Sequence, residues 1–520
     1  MSRFEFAAGV NACLSKINEL VTAGLADKVS QGDVATLQRL QEEFAAELAV
    51  LKGRVDLLET KTEQLESQQF SATTKLTGEA LFQLRGDFTG NDLRPDNSGA
   101  IPGLVSKPLA EGGEGPAGRN ATLGYRARLD FQSSFTGRDR LLVRLQASNI
   151  PRQGIAAYTN QGALHPDDAT GDVNNVFGLF PGSVPTGQSS NNQVRLEKFT
   201  YGFPAGDRLR LQVTATGGRL WDFAPTLNAL DYGDKGLGSI TEFGRRNPIY
   251  RLSGAGAGVG LDYRFSEWGR FSVGYLGGNR VSAGVATANT VRNPFGAELG
   301  STGNGFTGGT YGAIAQLTVT PNRDWDLGLT YVRSFFSADD VFAQRPGVGG
   351  GVGSHHSDFP LGGGPMELNS YGFQTRYRFS PGFVLSGWVG FTDVRAPVGG
   401  INPLGDRLSQ PGDTANLFNW AVTLAFPDLF KAGALGGLVV GQAPKVTRSD
   451  GRFAQSPILT FGAGPLEDRQ GESYHIEAFY QYPLGRNITL TPGIVWVTNP
   501  EYNSANPSFV LGTLRLTFSF

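Results

Sequence analysis

The chain has 520 residues, beyond the size at which one soluble core stops growing, with 18% charged residues, a net charge of −2 and 73 glycines, roughly twice the usual share. That balance excludes bulk attraction to nucleic acid, and no apolar run reaches the roughly 18 residues that a membrane-crossing helix needs. Aromatic residues still make up 11%, so any embedding in a bilayer has to be by strands, whose backbone groups are satisfied only in a closed barrel. The single Cys13 excludes an intrachain disulfide and is expected to be a small buried side chain.

In chain order, "SRFEFAAGVNACLSKINEL" places Phe6, Val10, Leu14 and Ile17 at helical spacing. Its Arg3, Phe4, Glu5, Phe6 and Ala7 resemble the closing "RYEFA" of an S-layer homology domain. Residues 1–30 are therefore expected to be the C-terminal fragment of such a domain, with a plain amphipathic helix as the competing reading. The opening residues lack the basic start and apolar core of a secretory signal, so the chain is expected to be a processed or truncated form of an exported protein.

Across residues 31–70 the spacing of Val34, Leu37, Gln41, Phe44, Leu48, Leu51, Val55, Leu58, Thr62 and Leu65 alternates between three and four. That is a heptad seam, and it predicts a coiled-coil rod of about 50 Å that needs partner helices. Parallel self-association, with a homotrimer as the expected count, follows from this reading. A helix lying on the chain's own second domain is the alternative, because Gln41, Gly53 and Thr62 weaken the seam.

From Lys75 onward the period becomes two. In "KLTGEALFQLRGDF", Leu76, Ala80, Phe82, Leu84 and Phe88 share one face, and Lys75, Thr77, Glu79, Gln83, Arg85 and Asp87 the other. The same alternation predicts strands near 75–88, 120–135, 139–150, 193–204, 207–217, 255–265, 269–279, 309–320, 323–336, 368–380, 382–394, 415–427, 433–444, 471–483, 486–497 and 508–520. Short turns such as Gly137-Arg138, Pro321-Asn322 and Leu484-Gly485 alternate strictly with long loops rich in Gly, Asn and Pro.

Short and long connections in alternation, with an even strand count, belong to a transmembrane barrel. The expected fold is an all-β, 16-stranded antiparallel transmembrane β-barrel over residues 71–520 with an N-terminal helical coiled-coil arm. Short turns and arm are placed on the periplasmic side, and outer-membrane lipid is the partner of the apolar face. The chain ends "GTLRLTFSF": Leu514, Leu516, Phe518 and Phe520 alternate with polar residues, so the last strand is expected to pair with the first and to set Phe520 in an aromatic girdle. Tyr263, Phe265, Tyr331, Tyr377, Phe379, Tyr480, Tyr482 and Trp496 are further girdle candidates.

A barrel of this size encloses water. On the polar face Arg85, Arg126, Arg128, Arg144, Arg210, Arg264, Arg376, Arg378 and Glu477 are expected to line the pore, and bases outnumber acids there. This implies mild anion preference or weak selectivity unless loop carboxylates cancel the excess. The third long loop, 218–254, carries Arg219, Asp222, Asp231, Asp234, Lys235, Glu242, Arg245, Arg246 and Arg251 among aromatics, and is expected to fold inward as a constriction. A solvated lid is the alternative. "RPGVGGGVGSHHSDFPLGGGP" instead has the composition of plain external display.

Enzymatic and metal readings find little. His475 and Glu477 share a face without a nearby nucleophile, and His355 and His356 lack a third ligand, so neither catalysis nor a cofactor nor a metal site is expected. Taken end to end, with "GRLWDF" and "FGRRNPIYR" in the barrel half, the chain resembles cyanobacterial outer-membrane iron-uptake porins, which are related to the carbohydrate-selective porins. The resemblance implies passage of inorganic ions and small solutes, including iron, through the barrel. It also implies a link to peptidoglycan or its polysaccharide through a complete N-terminal domain. A structural tether with a loop-plugged barrel is the second reading.

Overall fold

The computed structural model describes residues 12, 15–17, 19, 39, 44–45, 50–61, 74–88, 121–150, 161, 192–253, 256–278, 310–336, 348–358, 360–361, 365–399, 409–451, 471–502, 504 and 508–520. The chain divides into two units, Met1–Ala72 and Thr73–Phe520. In the first, residues 50–61 are helical. Leu51, Val55 and Leu58 of the heptad seam are exposed there, as is Phe44. Of the S-layer-like segment, residues 12, 15–17 and 19 are described, helical and exposed, Ile17 among them; its Arg3–Ala7 match and the rest of the seam, apart from residues 39 and 44–45, lie outside the described residues.

The second unit is built from β1 (Lys75–Asp87), β2 (Thr122–Ser133), β3 (Arg140–Asn149), β4 (Arg195–Ala205), β5 (Leu209–Gly218), β6 (Gly256–Arg264), β7 (Gly269–Gly278), β8 (Tyr311–Asn322), β9 (Trp325–Phe336), β10 (Met366–Ser380), β11 (Phe383–Arg395), β12 (Thr414–Pro427), β13 (Leu435–Ser449), β14 (His475–Pro483), β15 (Ile488–Val497) and β16 (Phe509–Ser519). Each strand pairs antiparallel with its sequence neighbours, and β16 returns to β1, so the sheet closes into a barrel without a free edge. The expected sixteen-strand barrel is the architecture observed.

Closure runs through the last residue. Gly78 N donates to Phe520 O at 2.7 Å and Phe520 N to Gly78 O at 3.0 Å. The Phe520 ring lies over the glycine, so close that a Cβ on Gly78 would stand 2.3 Å from it.

Parity sorts the side chains. Phe82 and Leu84 of β1, Leu123 and Phe131 of β2 and Val422 of β12 are exposed on the outer wall, while their neighbours Gln83, Arg126 and Thr423 are buried within. Among the girdle candidates, Tyr263, Tyr331, Tyr377, Phe379, Tyr482, Trp496 and Phe520 are exposed on the outside. Phe265 and Tyr480 are half-buried. At the short-turn end Trp325, Tyr377, Phe379, Phe383 and Phe426 form a continuous run of ring contacts.

The glycine-rich segment expected as external display behaves otherwise. Residues 348–354 are buried, Val348 N donates to Asp358 O at 3.1 Å, and Ser354 N to Pro444 O of β13 at 3.3 Å. Glycine is what allows this: a Cβ on Gly353 would lie 2.7 Å from the Pro444 carbonyl. Composition alone does not separate a solvated loop from a backbone packed closely against a wall.

Candidate functional site

The site is the barrel interior, and its shape is set by the connection between β5 and β6. Gly217 takes φ +71, and a Cβ there would meet Glu197 O at 1.9 Å, so only glycine can turn the chain off the wall at that point. A short 3-10 turn, Leu220–Asp222, follows, with Asp222 Oδ2 accepting from Arg219 N at 2.8 Å. The Phe223 ring then lies against the inner wall where β6 and β7 carry Gly260 and Gly274, whose Cβ atoms would stand 2.1 and 2.2 Å from it.

From there the segment bonds to inward-facing side chains around the whole cylinder. Pro225 O accepts from Gln316 of β8 at 2.8 Å, and Leu227 N donates to Gln374 of β10 at 3.0 Å. Thr423 of β12 donates to Asn228 at 2.7 Å. On other strands, Gly236 N donates to Glu79 of β1 at 2.8 Å, Thr517 of β16 donates to Gly236 O at 2.8 Å, and Gly238 N donates to Gln481 of β14 at 3.0 Å. Arg515 of β16 donates to Gly238 O at 2.7 Å. The segment then returns: Asn247 donates to Val389 O of β11 at 2.9 Å and Ser334 of β9 to Leu252 O at 2.6 Å. A single stretch bonded to the inner faces of β1, β8, β10, β12, β14 and β16 lies inside the cylinder.

Charged groups in this interior are largely paired. Arg126 contacts Glu79 at 2.5 Å and donates to Asp234 O at 3.2 Å. Arg128 donates to Asp234 O and, at 2.5 Å, to Gln146. Arg144 grips Asp130 with two bonds of 2.7 and 2.8 Å. Lys198 reaches Asp222 at 2.6 Å and Asp234 at 3.4 Å. Burial alone would raise the Asp234 carboxyl, but Lys198, Arg144 and Arg128 hold it well below the usual carboxylate range.

Within the segment, Arg246 binds Asp231 through two bonds of 2.9 and 2.7 Å and lies 3.9 Å over the Trp221 ring. Arg245 lies 3.6 Å from the same carboxylate. Glu242 pairs with Arg251 at 2.5 Å, and Arg251 donates to Gly350 O at 2.6 Å, tying the segment to the buried glycine-rich loop. Arg219 is half-buried, 5.6 Å from the Trp221 ring. Glu477 is fully buried and accepts from Ser239 Oγ at 2.8 Å, Ile240 N at 2.7 Å and the Thr241 hydroxyl.

The remaining strand arginines stand apart. Arg85 is half-buried and donates to Gln83 at 3.1 Å. Arg376 contacts Asp326 at 2.5 Å. Arg210, Arg264 and Arg378, near the short-turn end, are exposed. The interior is thus packed where the segment crosses it, and these arginines beside the short turns are left exposed.

Sequence reasoning missed Glu197, Lys198 and the Phe223 wedge. At Glu197 the β3–β4 register shifts by one residue, a bulge that lets Glu197 and Lys198 both reach interior partners and breaks strict alternation. The wedge had a signal in Gly260 and Gly274, which face each other across β6 and β7.

A family model described as carbohydrate-selective porin, OprB family, matches residues 31–520. The chain is 33% identical over 529 residues to an uncharacterized protein of Nostoc sp., covering 100% of this chain and 78% of that one. It is 32% identical over 529 residues to an uncharacterized protein of Synechocystis sp., covering 100% and 82%. Among solved structures it is similar to Pseudomonas putida OprB at high pH, with a TM-score of 0.46 and 14% identity, covering 89% of this chain and 97% of that one.

Proposed function

This chain belongs to the OprB family of carbohydrate-selective porins, and from that membership we propose that it is a passive outer-membrane channel for inorganic ions and small hydrophilic solutes. The observation that carries the proposal is the division of the barrel interior. Residues 219–253 cross it from wall to wall, while inward Arg210, Arg264 and Arg378, beside the short turns, are exposed. Side chains that charged do not remain on an enclosed wall without water. In this reading Arg219, Asp222, Asp231, Asp234, Glu242, Arg245, Arg246 and Arg251 belong to the constriction. The exposed arginines give a weak preference for anions. Iron among the permeant ions, a peptidoglycan link through a complete N-terminal domain and a trimer joined by the heptad helices complete the proposal.

A second reading, a barrel plugged by its loops and serving as a structural tether, is favoured by how completely the long-loop half is filled. Ser334 of β9, Leu368 and Ser370 of β10 and Val446 of β13 have no exposed surface. Single-channel recording in planar bilayers separates the two. A steady open current with a reversal potential displaced toward that of the anion in a salt gradient supports the channel, and absence of current supports the plug. The mass of the detergent-solubilised complex with and without residues 1–70 tests the trimer: loss of the larger species on truncation is expected.

A further inference from the structure

On the inner wall at the short-turn end, β4 carries a glycine between two arginines. Gly202 is the direct register partner of Arg140 on β3, and Pro204, two residues on, is the partner of Arg210 on β5. Arg210 leans back across β4, with Nη2 3.3 Å and Nε 3.6 Å from where a Gly202 Cβ would be. Its guanidinium therefore covers the position directly beside Arg140, and the two cations, with Arg144 behind them, lie within electrostatic reach of one another. Any larger residue at 202 would hold them apart.

Neither Arg140 nor Arg210 has a carboxylate within ion-pair distance among the described residues. The acid that Arg140 feels is Asp130, and both of its oxygens accept bonds from Arg144. Both arginines are exposed to the lumen. Asp262 on β6 is the register partner of Arg210, but it lies 3.6 Å from Arg270 and accepts from Ser272 at 2.9 Å. Two like charges brought together on a wall without an ion pair of their own raise the local potential, and a planar or tetrahedral oxyanion offers each guanidinium fork the paired acceptors it fits. A neutral solute would relieve none of the repulsion.

We propose that Arg140 and Arg210, brought together over Gly202, form a binding site for a small oxyanion of the phosphate or sulfate type at the turn-side mouth of the barrel. The site rests on the channel reading only for its physiological use, since occupancy itself needs no current. Chloride, lacking paired oxygens, is a weak competitor, so an oxyanion entering from the turn side lowers chloride flux while it is bound.

The test is calorimetric titration of inorganic phosphate into the detergent-solubilised full chain in a chloride buffer, beside Arg140→Gln, Arg210→Gln and Gly202→Val. The account expects saturable phosphate binding, weakened about tenfold or more in each Gln variant, because one charge-assisted contact is lost. Arg210→Lys should keep part of the affinity, and Gly202→Val should lose it while both arginines remain. Thermal unfolding of each variant shows that the barrel is intact. Phosphate heat no different from that of added chloride, or binding unchanged in Arg140→Gln/Arg210→Gln, overturns the site. In bilayers, a conducting channel indifferent to turn-side phosphate contradicts the site alone, whereas a silent barrel contradicts the channel reading and leaves the calorimetric result to decide the site.

Discussion

The Glu477 carboxylate on β14 accepts the backbone N–H of Ile240 at 2.7 Å, and the same carboxylate holds the residues on either side of Ile240 through their hydroxyls. One buried side chain thus pins the tip of the crossing segment to the wall. Glu477→Gln replaces a charged acceptor of three bonds with a neutral one, and should lower stability by about 2 kcal/mol. Thermal unfolding in detergent measures this, and open-channel current noise should rise as residues 239–241 loosen. A variant as stable and as quiet as the parent would show that the segment is held elsewhere.

Phe223 and the glycine pair beneath it form the second anchor. Gly260→Leu or Gly274→Leu puts a side chain where the ring now lies, 2.1 and 2.2 Å from the Cβ positions. Overpacking of this kind typically costs about 1–3 kcal/mol. Adding Phe223→Ala to either variant should recover part of the loss, because the two substitutions share one space. Strictly additive destabilisation in a double-mutant cycle would place the ring elsewhere.

At the seam, removing Phe520 takes away both backbone bonds to Gly78 and the ring that covers it. A chain ending at Ser519 should close its barrel less firmly, seen as a lower unfolding temperature and a reduced yield of folded protein from refolding into detergent. Equal yield and stability would mean that β1 and β16 need no terminal pairing.

Acid should act at the turn between β2 and β3, outside the membrane-spanning strands. Asp139 is held well below the ordinary carboxylate range, chiefly by the Thr136 hydroxyl, with the backbone N–H groups of Phe135 and Thr136 and the Ser134 hydroxyl adding to it. A depressed carboxyl contributes stability that is fully present above the unfolded value of about 4 and is lost as pH falls through the lower folded value. The stability difference between the parent and Asp139→Asn should therefore be constant from neutral pH to about 5 and shrink below about 4. A difference that grows on acidification would contradict the assignment.

How far the sequence could be read depended on whether period two held. It held along most of the wall, because one face meets the apolar exterior and the other polar partners, and a one-residue slip would exchange them. It failed at Glu197, where a bulge brings two successive side chains to interior partners. Charge counting identified inward arginines but not their pairing: Arg126, Arg128 and Arg144 are engaged by Glu79, Asp234 and Asp130, and Asp234 comes from a segment 90 residues after Arg144. The buried 348–354 backbone was hidden for a different reason, since glycine reports the space it leaves and not what fills it.

Trp388 on β11 and Trp420 on β12 sit one register step apart, Trp388 opposite Ala421 and Trp420 opposite Val389. Trp388 faces inward against Phe243, while Trp420 faces outward. The central claim is that hydrocarbon is the solvent of the outer face. Variants retaining only one of these tryptophans, reconstituted into vesicles whose acyl chains carry bromine, test it directly. The account predicts strong fluorescence quenching at Trp420 and none at Trp388; equal response at the two positions, or none at either, would contradict it.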